Sequence, residues 1–209
     1  MAFKANETIG CLAGWQWTCV FIALATVFDY LDGASARLLK AYSEIGRELD
    51  SLSDLVSFGV APAMLIFNLM NNILGESILN YIALFIPVMG ALRLARFNVM
   101  DAGSTIFRGL PIPANAIFWM GVAGWMNNHS DSVSEGVLIP AIIIVSLMMV
   151  SDIKMFSLKF KNFKLAENFR RFVIIIAAIF FVVFYGLEGL VWTIVLYFLI
   201  SILTRQREQ

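Results

Sequence analysis

Apolar residues run along this chain in seven blocks, at roughly residues 12–28, 55–70, 78–95, 111–126, 136–151, 172–186 and 189–204. Each block is long enough, alone or with its flanks, to form a helix whose whole surface tolerates hydrocarbon. Several are short, so some of the helices are expected to continue past the hydrocarbon into water. The last two blocks are parted only by Gly186-Leu187-Glu188-Gly189, which predicts a tight helical hairpin. Gly109, Pro111 and Pro113 precede the fourth block and predict its helix start, because proline is tolerated in a first turn. No long linker, low-complexity run or internal repeat divides the chain. The expected fold is all-α: a single polytopic transmembrane bundle of about seven helices spanning residues 1–209.

Composition strengthens this picture. The chain is 60% hydrophobic and 14% charged, against about 45–50% and about 25% for soluble domains. Formal net charge is zero, so overall charge identifies no partner, and no nucleic-acid ligand is expected. The distribution of charge is more telling. All Lys and Arg residues except Lys4 fall after the first, third, fifth and seventh blocks, whereas the opposite connections carry Glu76, Asp131, Glu135 and Glu188. The positive-inside rule makes the basic side cytoplasmic, which places the C-terminus inside and the N-terminus outside a cytoplasmic (inner) membrane. Residues 1–10 contain no signal-peptide pattern. An odd helix count with an exported N-terminus is uncommon, so the expectation is that a preceding helix is missing from this chain.

The polar residues that break the apolar pattern carry the chemistry. Asp29, Asp32, Asp50 and Asp54 lie at the end of the first block and before the second. A carboxylate near the bilayer centre costs about 2.5–3.5 kcal/mol on insertion scales. Asp29, Asp32 and Ala36 stand at i, i+3 and i+7, so they share one helix face, with Gly33 beside Asp32. Gly46, Asp50 and Asp54 recur every four residues on a second face. If the link between them turns the chain back, four carboxylates converge near the cytoplasmic surface. Like charges that close must be protonated or neutralised, and a hard divalent cation such as Mg²⁺ or Mn²⁺ is the natural partner for an all-oxygen donor set. A proton or ion pathway, as in a cation-binding transporter, is the competing reading. So is pairing of the acids with Arg37 and Arg47. Cys11 and Cys19 read as small packing residues, and His129 as a solvated loop residue.

Taken together, Asp29, Asp32, Gly33, Ala36, Arg37, Gly46, Asp50 and Asp54 spell D-x2-D-G-x2-A-R-x8-G-x3-D-x3-D. This resembles the signature of the CDP-alcohol phosphotransferase family at all eight positions. The resemblance implies a transfer in which an alcohol hydroxyl attacks the phosphoryl group of a CDP-linked lipid and CMP leaves. It implies two metal ions held by Asp29, Asp32, Asp50 and Asp54, with Asp54 as the general base. It implies a nucleotide site formed by Asp32, Gly33, Ala36, Arg37 and Gly46, and a homodimer.

Two further stretches, residues 90–99 with Arg93 and Arg96 and residues 107–116 with Asn115, join residues 50–63 in resembling the members that use serine as acceptor. That resemblance implies CDP-diacylglycerol and L-serine as substrates. Arg93 and Arg96 are one turn apart, and either anchors the cytoplasmic end of the third helix or binds an anion on the acceptor or the diphosphate. Inositol phosphate or glycerol 3-phosphate would suit arginines equally well, so charge alone leaves the acceptor open.

Overall fold

A computed structural model of the chain describes residues 7–39, 43–100, 107–155 and 165–205. Helices occupy all seven apolar blocks. The first, α1 (Gly14–Leu39), follows a small antiparallel ladder of β1 (Thr8–Ile9) and β2 (Leu12–Ala13). Gln16 caps the helix start by accepting from the Ala13 amide at 2.9 Å. Thr18, Thr26 and Ser35 return their hydroxyls to the carbonyls four residues back, which satisfies them without water.

The second block is the apolar end of a longer rod. It begins with α2 (Glu44–Asp54), passes through a π-helical stretch at Leu55–Val60, and continues as α3 (Ala61–Leu74). Together these span 31 residues, about 45 Å at 1.5 Å per residue, against a hydrocarbon thickness of about 30 Å. The excess is α2, which buries none of its residues. Ser43 sets where it starts: its extended backbone precedes the helix and its side chain accepts from the Gly46 amide at 3.0 Å. Gly75, at φ +91°, ends α3. A 3₁₀ stretch at Ile78–Leu84 then leads into α4 (Phe85–Met100). In that corner the buried Asn80 donates to the Asn71 side chain at 2.6 Å and to the Gly75 carbonyl at 2.8 Å.

The core is organised around α5 (Ile112–Asn128), which is buried on nearly every side. It packs against α1, α3, α6 (Glu135–Val150) and α8 (Gly189–Arg205). Trp119 and Met126 on α5 are fully buried, as are Leu65 and Ile66 on α3. A helix that is apolar all round can be surrounded in this way. By contrast, α7 (Leu165–Tyr185) keeps Ile176, Phe180, Val183 and Phe184 exposed, a surface suited to lipid. α7 and α8 meet through a 3₁₀ turn at Gly186–Glu188, with Gly186 at φ +61°, as the Gly-Leu-Glu-Gly spacing predicts. The pair is therefore a hairpin of two apolar helices and not one long rod.

Two polar loops join on the side that carries the arginines. β3 (Phe107–Arg108) pairs with β4 (Lys154–Met155), with Arg108 opposite Lys154. The Gly109 amide donates to the Ile153 carbonyl at 2.9 Å and the Leu110 amide to Met148 at 3.0 Å. Gly109 has φ +70°, and a Cβ there would run into the Met149 carbonyl oxygen. Gly109→Ala is expected to destabilise the fold by roughly 2–4 kcal/mol through left-handed strain and this clash. A lowered thermal midpoint in detergent checks this, and an unchanged midpoint would refute it.

One minor expectation changes. Cys19 is buried, but Cys11 lies exposed in the turn before α1 and is not a packing residue. His129 is exposed in the connection after α5, as expected of a solvated loop residue, with its Nδ1 3.6 Å from Glu188 and its ring stacked on Trp125.

Candidate active site

α1 and α2 face each other with their acidic sides. Asp29 and Asp32 from α1 and Asp50 from α2 each offer a carboxylate oxygen, and these oxygens all lie within 4.8 Å of one another. Helical spacing places the first two on one face, and the return of the chain through α2 supplies the third. Two like charges at that separation repel by about 3–4 kcal/mol at an effective dielectric near 20. Asp32 and Asp50 are exposed and Asp29 is half-buried, so water screens part of this. A donor set of three carboxylate oxygens fits a hard divalent cation, and the convergence of three acids on one point is what such an ion would offset.

Asp54, the last residue of α2, is half-buried just below the cluster. It lies within electrostatic reach of Asp29, Asp50 and Asp32, and of Arg93 from α4. It is not part of the three-carboxylate group among the described residues. The geometry thus separates three acids that meet from one that stands beside them. The π-helical stretch starts directly after Asp54. Such a stretch shifts the phase of all that follows, so the acidic face of α2 stops there and the apolar packing of α3 takes over.

The remaining signature positions surround these acids. A Cβ on Gly33 would meet nothing within 4 Å, so there is open space beside Asp32. Ala36 is half-buried. Gly46 has a local task as well: its amide is the one capped by Ser43, and a Cβ there would come within 2.8 Å of the Ser43 oxygen. Arg37 lies in α1, but its side chain is outside the described residues, as are Lys40 in the link between the two faces and residues 101–106.

The predicted arginine pair lies one layer away. Arg93 is 9% exposed, and its Nε has no hydrogen-bond partner among the described residues. It lies within electrostatic reach of both Asp54 and the buried Tyr197 of α8. Arg96 donates through Nη1 to the Val150 carbonyl at 2.8 Å and through Nη2 to Asp152. Both arginines line a cleft together with Phe97, Arg108, Met149, Val150 and Ser151. Positive-inside anchoring alone would leave such residues pointing to water, whereas these turn inward.

Sequence reasoning did not single out several of the residues around this cleft. Arg108 was counted only as a cytoplasmic charge, and Asp152 carried no signal, because both acquire their positions from the pairing of β3 with β4. Asn98 of α4 donates to Ser51 at 3.1 Å and Glu48 at 3.4 Å, tying α4 to α2. Asn115 is fully buried and accepts from the Trp119 indole at 2.9 Å, while its Nδ2 has no partner among the described residues. Its visible bond is therefore structural, within α5.

The sequence profile of the CDP-alcohol phosphatidyltransferase family matches residues 9–156. A CDP-diacylglycerol–serine O-phosphatidyltransferase of Methanocaldococcus jannaschii is 42% identical over 152 residues, covering 71% of this chain and 68% of that protein. The Helicobacter pylori protein of the same name is 32% identical over 177 residues, covering 82% of this chain and 72% of that protein. An archaetidylserine synthase of Methanothermobacter thermautotrophicus is 37% identical over 138 residues, 65% of this chain and 56% of its own length.

Proposed function

Because this chain belongs to the CDP-alcohol phosphatidyltransferase family, we infer that it transfers a phosphatidyl group from CDP-diacylglycerol to the hydroxyl of L-serine, yielding phosphatidylserine and CMP. It is a membrane enzyme of phospholipid synthesis. The observation that carries the reading is the meeting of Asp29, Asp32 and Asp50 within 4.8 Å, beside Asp54 and one layer from the arginine-lined cleft.

Asp29, Asp32 and Asp50 would hold a divalent metal, Mg²⁺ or Mn²⁺, and Asp54 would border it and contribute to a second ion. Bound there, such a metal would supply positive charge against the diphosphate and the departing phosphate of CMP, which otherwise repel a nucleophile. Gly33, Ala36, Arg37 and Gly46, with Asp32, form the nucleotide site, where the open space beside Gly33 admits a flat ring close to the backbone. Asp54 takes the proton as the serine oxygen bonds to the phosphatidyl phosphorus. The bond from that phosphorus to the CMP oxygen breaks, and CMP departs with the electron pair. Arg93 and Arg96 orient the acceptor through its carboxylate.

The site opens to the cytoplasmic face of the inner membrane. There the lipid tails stay in hydrocarbon while serine and CMP exchange with water. The working assembly is a homodimer.

Vesicles containing the protein, CDP-diacylglycerol and Mn²⁺ should release CMP when L-serine is added, and not with glycerol 3-phosphate or inositol phosphate. Release with only another alcohol would sink the serine assignment. Cation flux without CMP release would put the chain among transporters instead.

A further inference from the structure

One acid is bonded to an arginine that lines the cleft, and its position bears on which acceptor can enter. Asp152 follows α6 and is held at the cleft by the pairing of β3 with β4. Its Oδ1 is bonded to Arg96 and lies 3.6 Å from Arg108 Nη1. Both contacts run through Oδ1, and the side chain is 71% exposed. Arg93 is buried, lines the cleft and has an Nε with no hydrogen-bond partner among the described residues. Arg96 is already engaged twice, by the Val150 carbonyl and by Asp152.

This arrangement is not the one expected for a phosphate-bearing acceptor. Three guanidiniums would suit a phosphate dianion, but a carboxylate tied to two of them removes part of their charge and repels a second anion. It does suit a zwitterion. A carboxylate is received by the guanidinium whose Nε has no partner among the described residues, and an ammonium by the exposed carboxylate. Arg93 also lies within electrostatic reach of Asp54, so an acceptor anchored there is brought toward the proposed base.

We propose that Asp152 is a specificity-determining residue of the acceptor cleft. Its carboxylate receives the ammonium of a zwitterionic amino-acid acceptor whose own carboxylate pairs with Arg93, and it disfavours alcohols that carry a phosphate. This rests on the serine reading above and adds the group that selects for it.

The test compares L-serine with 3-hydroxypropanoate, which keeps the hydroxyl and carboxylate and lacks the ammonium. In vesicles with CDP-diacylglycerol and Mn²⁺, Asp152→Asn should lower kcat/KM for serine by about 10–100-fold, mostly through KM, the scale of a lost charge-assisted hydrogen bond. The inhibition constant of 3-hydroxypropanoate should move by less than about threefold, since it makes no contact through the missing charge. Asp152→Glu should restore serine affinity in large part. If both ligands weaken equally, Asp152 only positions the arginines and the proposal is overturned. Unchanged serine KM in Asp152→Asn overturns it too. Failure of the serine assignment itself is seen separately, before any variant is made, as CMP release from the unmodified protein only with another alcohol.

Discussion

Asp54→Asn is expected to lower kcat for CMP release by about 10²–10⁴-fold, the range that a positioned general base contributes. The substitution is nearly isosteric, and the side chain is half-buried at the junction of α2 with the π-helical stretch. The fold therefore has little reason to change. The variant also removes one negative charge from beside Asp29, Asp50 and Asp32, which eases the repulsion among these carboxylates. The expected combination is lost turnover with an unchanged helical signal and a thermal midpoint equal to or above that of the unmodified protein. It separates a lost base from a damaged protein. Full turnover would remove Asp54 from the reaction.

Asp50→Asn should instead lose the ion. Asp50 is the one member of the three-carboxylate group that comes from α2, and Asp29 and Asp32 both come from α1. Without it, α1 alone presents two acids and the clamp between the helices is gone. Removing a group that merely supports a metal ligand costs about 10–100-fold in affinity, and removing a ligand should cost more. The clearest readout is thermal. A ligand at about 100 times its dissociation constant stabilises the folded state by about 2.7 kcal/mol. Mn²⁺ at that level should raise the midpoint of the unmodified protein, and the shift should vanish in Asp50→Asn. Asp131→Asn, on the connection before α6, serves as the control that keeps the shift. An equal Mn²⁺ shift in all three proteins would mean that these aspartates do not hold the ion.

Asp50 belongs to the three-carboxylate group and Asp54 does not, which is the reason to expect different signatures. Asp54 lies outside the group of three but within its field, and it also faces Arg93. Its loss should act on proton transfer with less effect on Mn²⁺ affinity than the loss of Asp50. The spacing of four between Asp50 and Asp54 made them equivalent in sequence. Their separation comes from where α1 crosses α2 and where the π-helical stretch ends the acidic face.

The seven apolar blocks, the α7–α8 hairpin, the proline start of α5 and the two acidic faces were all legible in the chain. Each is written in neighbours no more than about seven residues apart, through helical periodicity and turn chemistry. Other features were not. Trp119 on α5 and Phe180 on α7 sit in equally apolar helices, yet one is fully buried and the other faces outward. In an apolar solvent, hydrophobicity no longer distinguishes inside from outside, so only packing decides. Arg96 and Asp152 are 56 residues apart in the chain and bonded in the fold, through a two-residue ladder too short to announce itself. By itself, then, the sequence determined which helices exist and which faces carry acid. Only the tertiary structure decided that three acids meet while a fourth stands aside, and that the arginine cleft has a carboxylate at its edge, because distances between segments are set by packing and no local pattern encodes them.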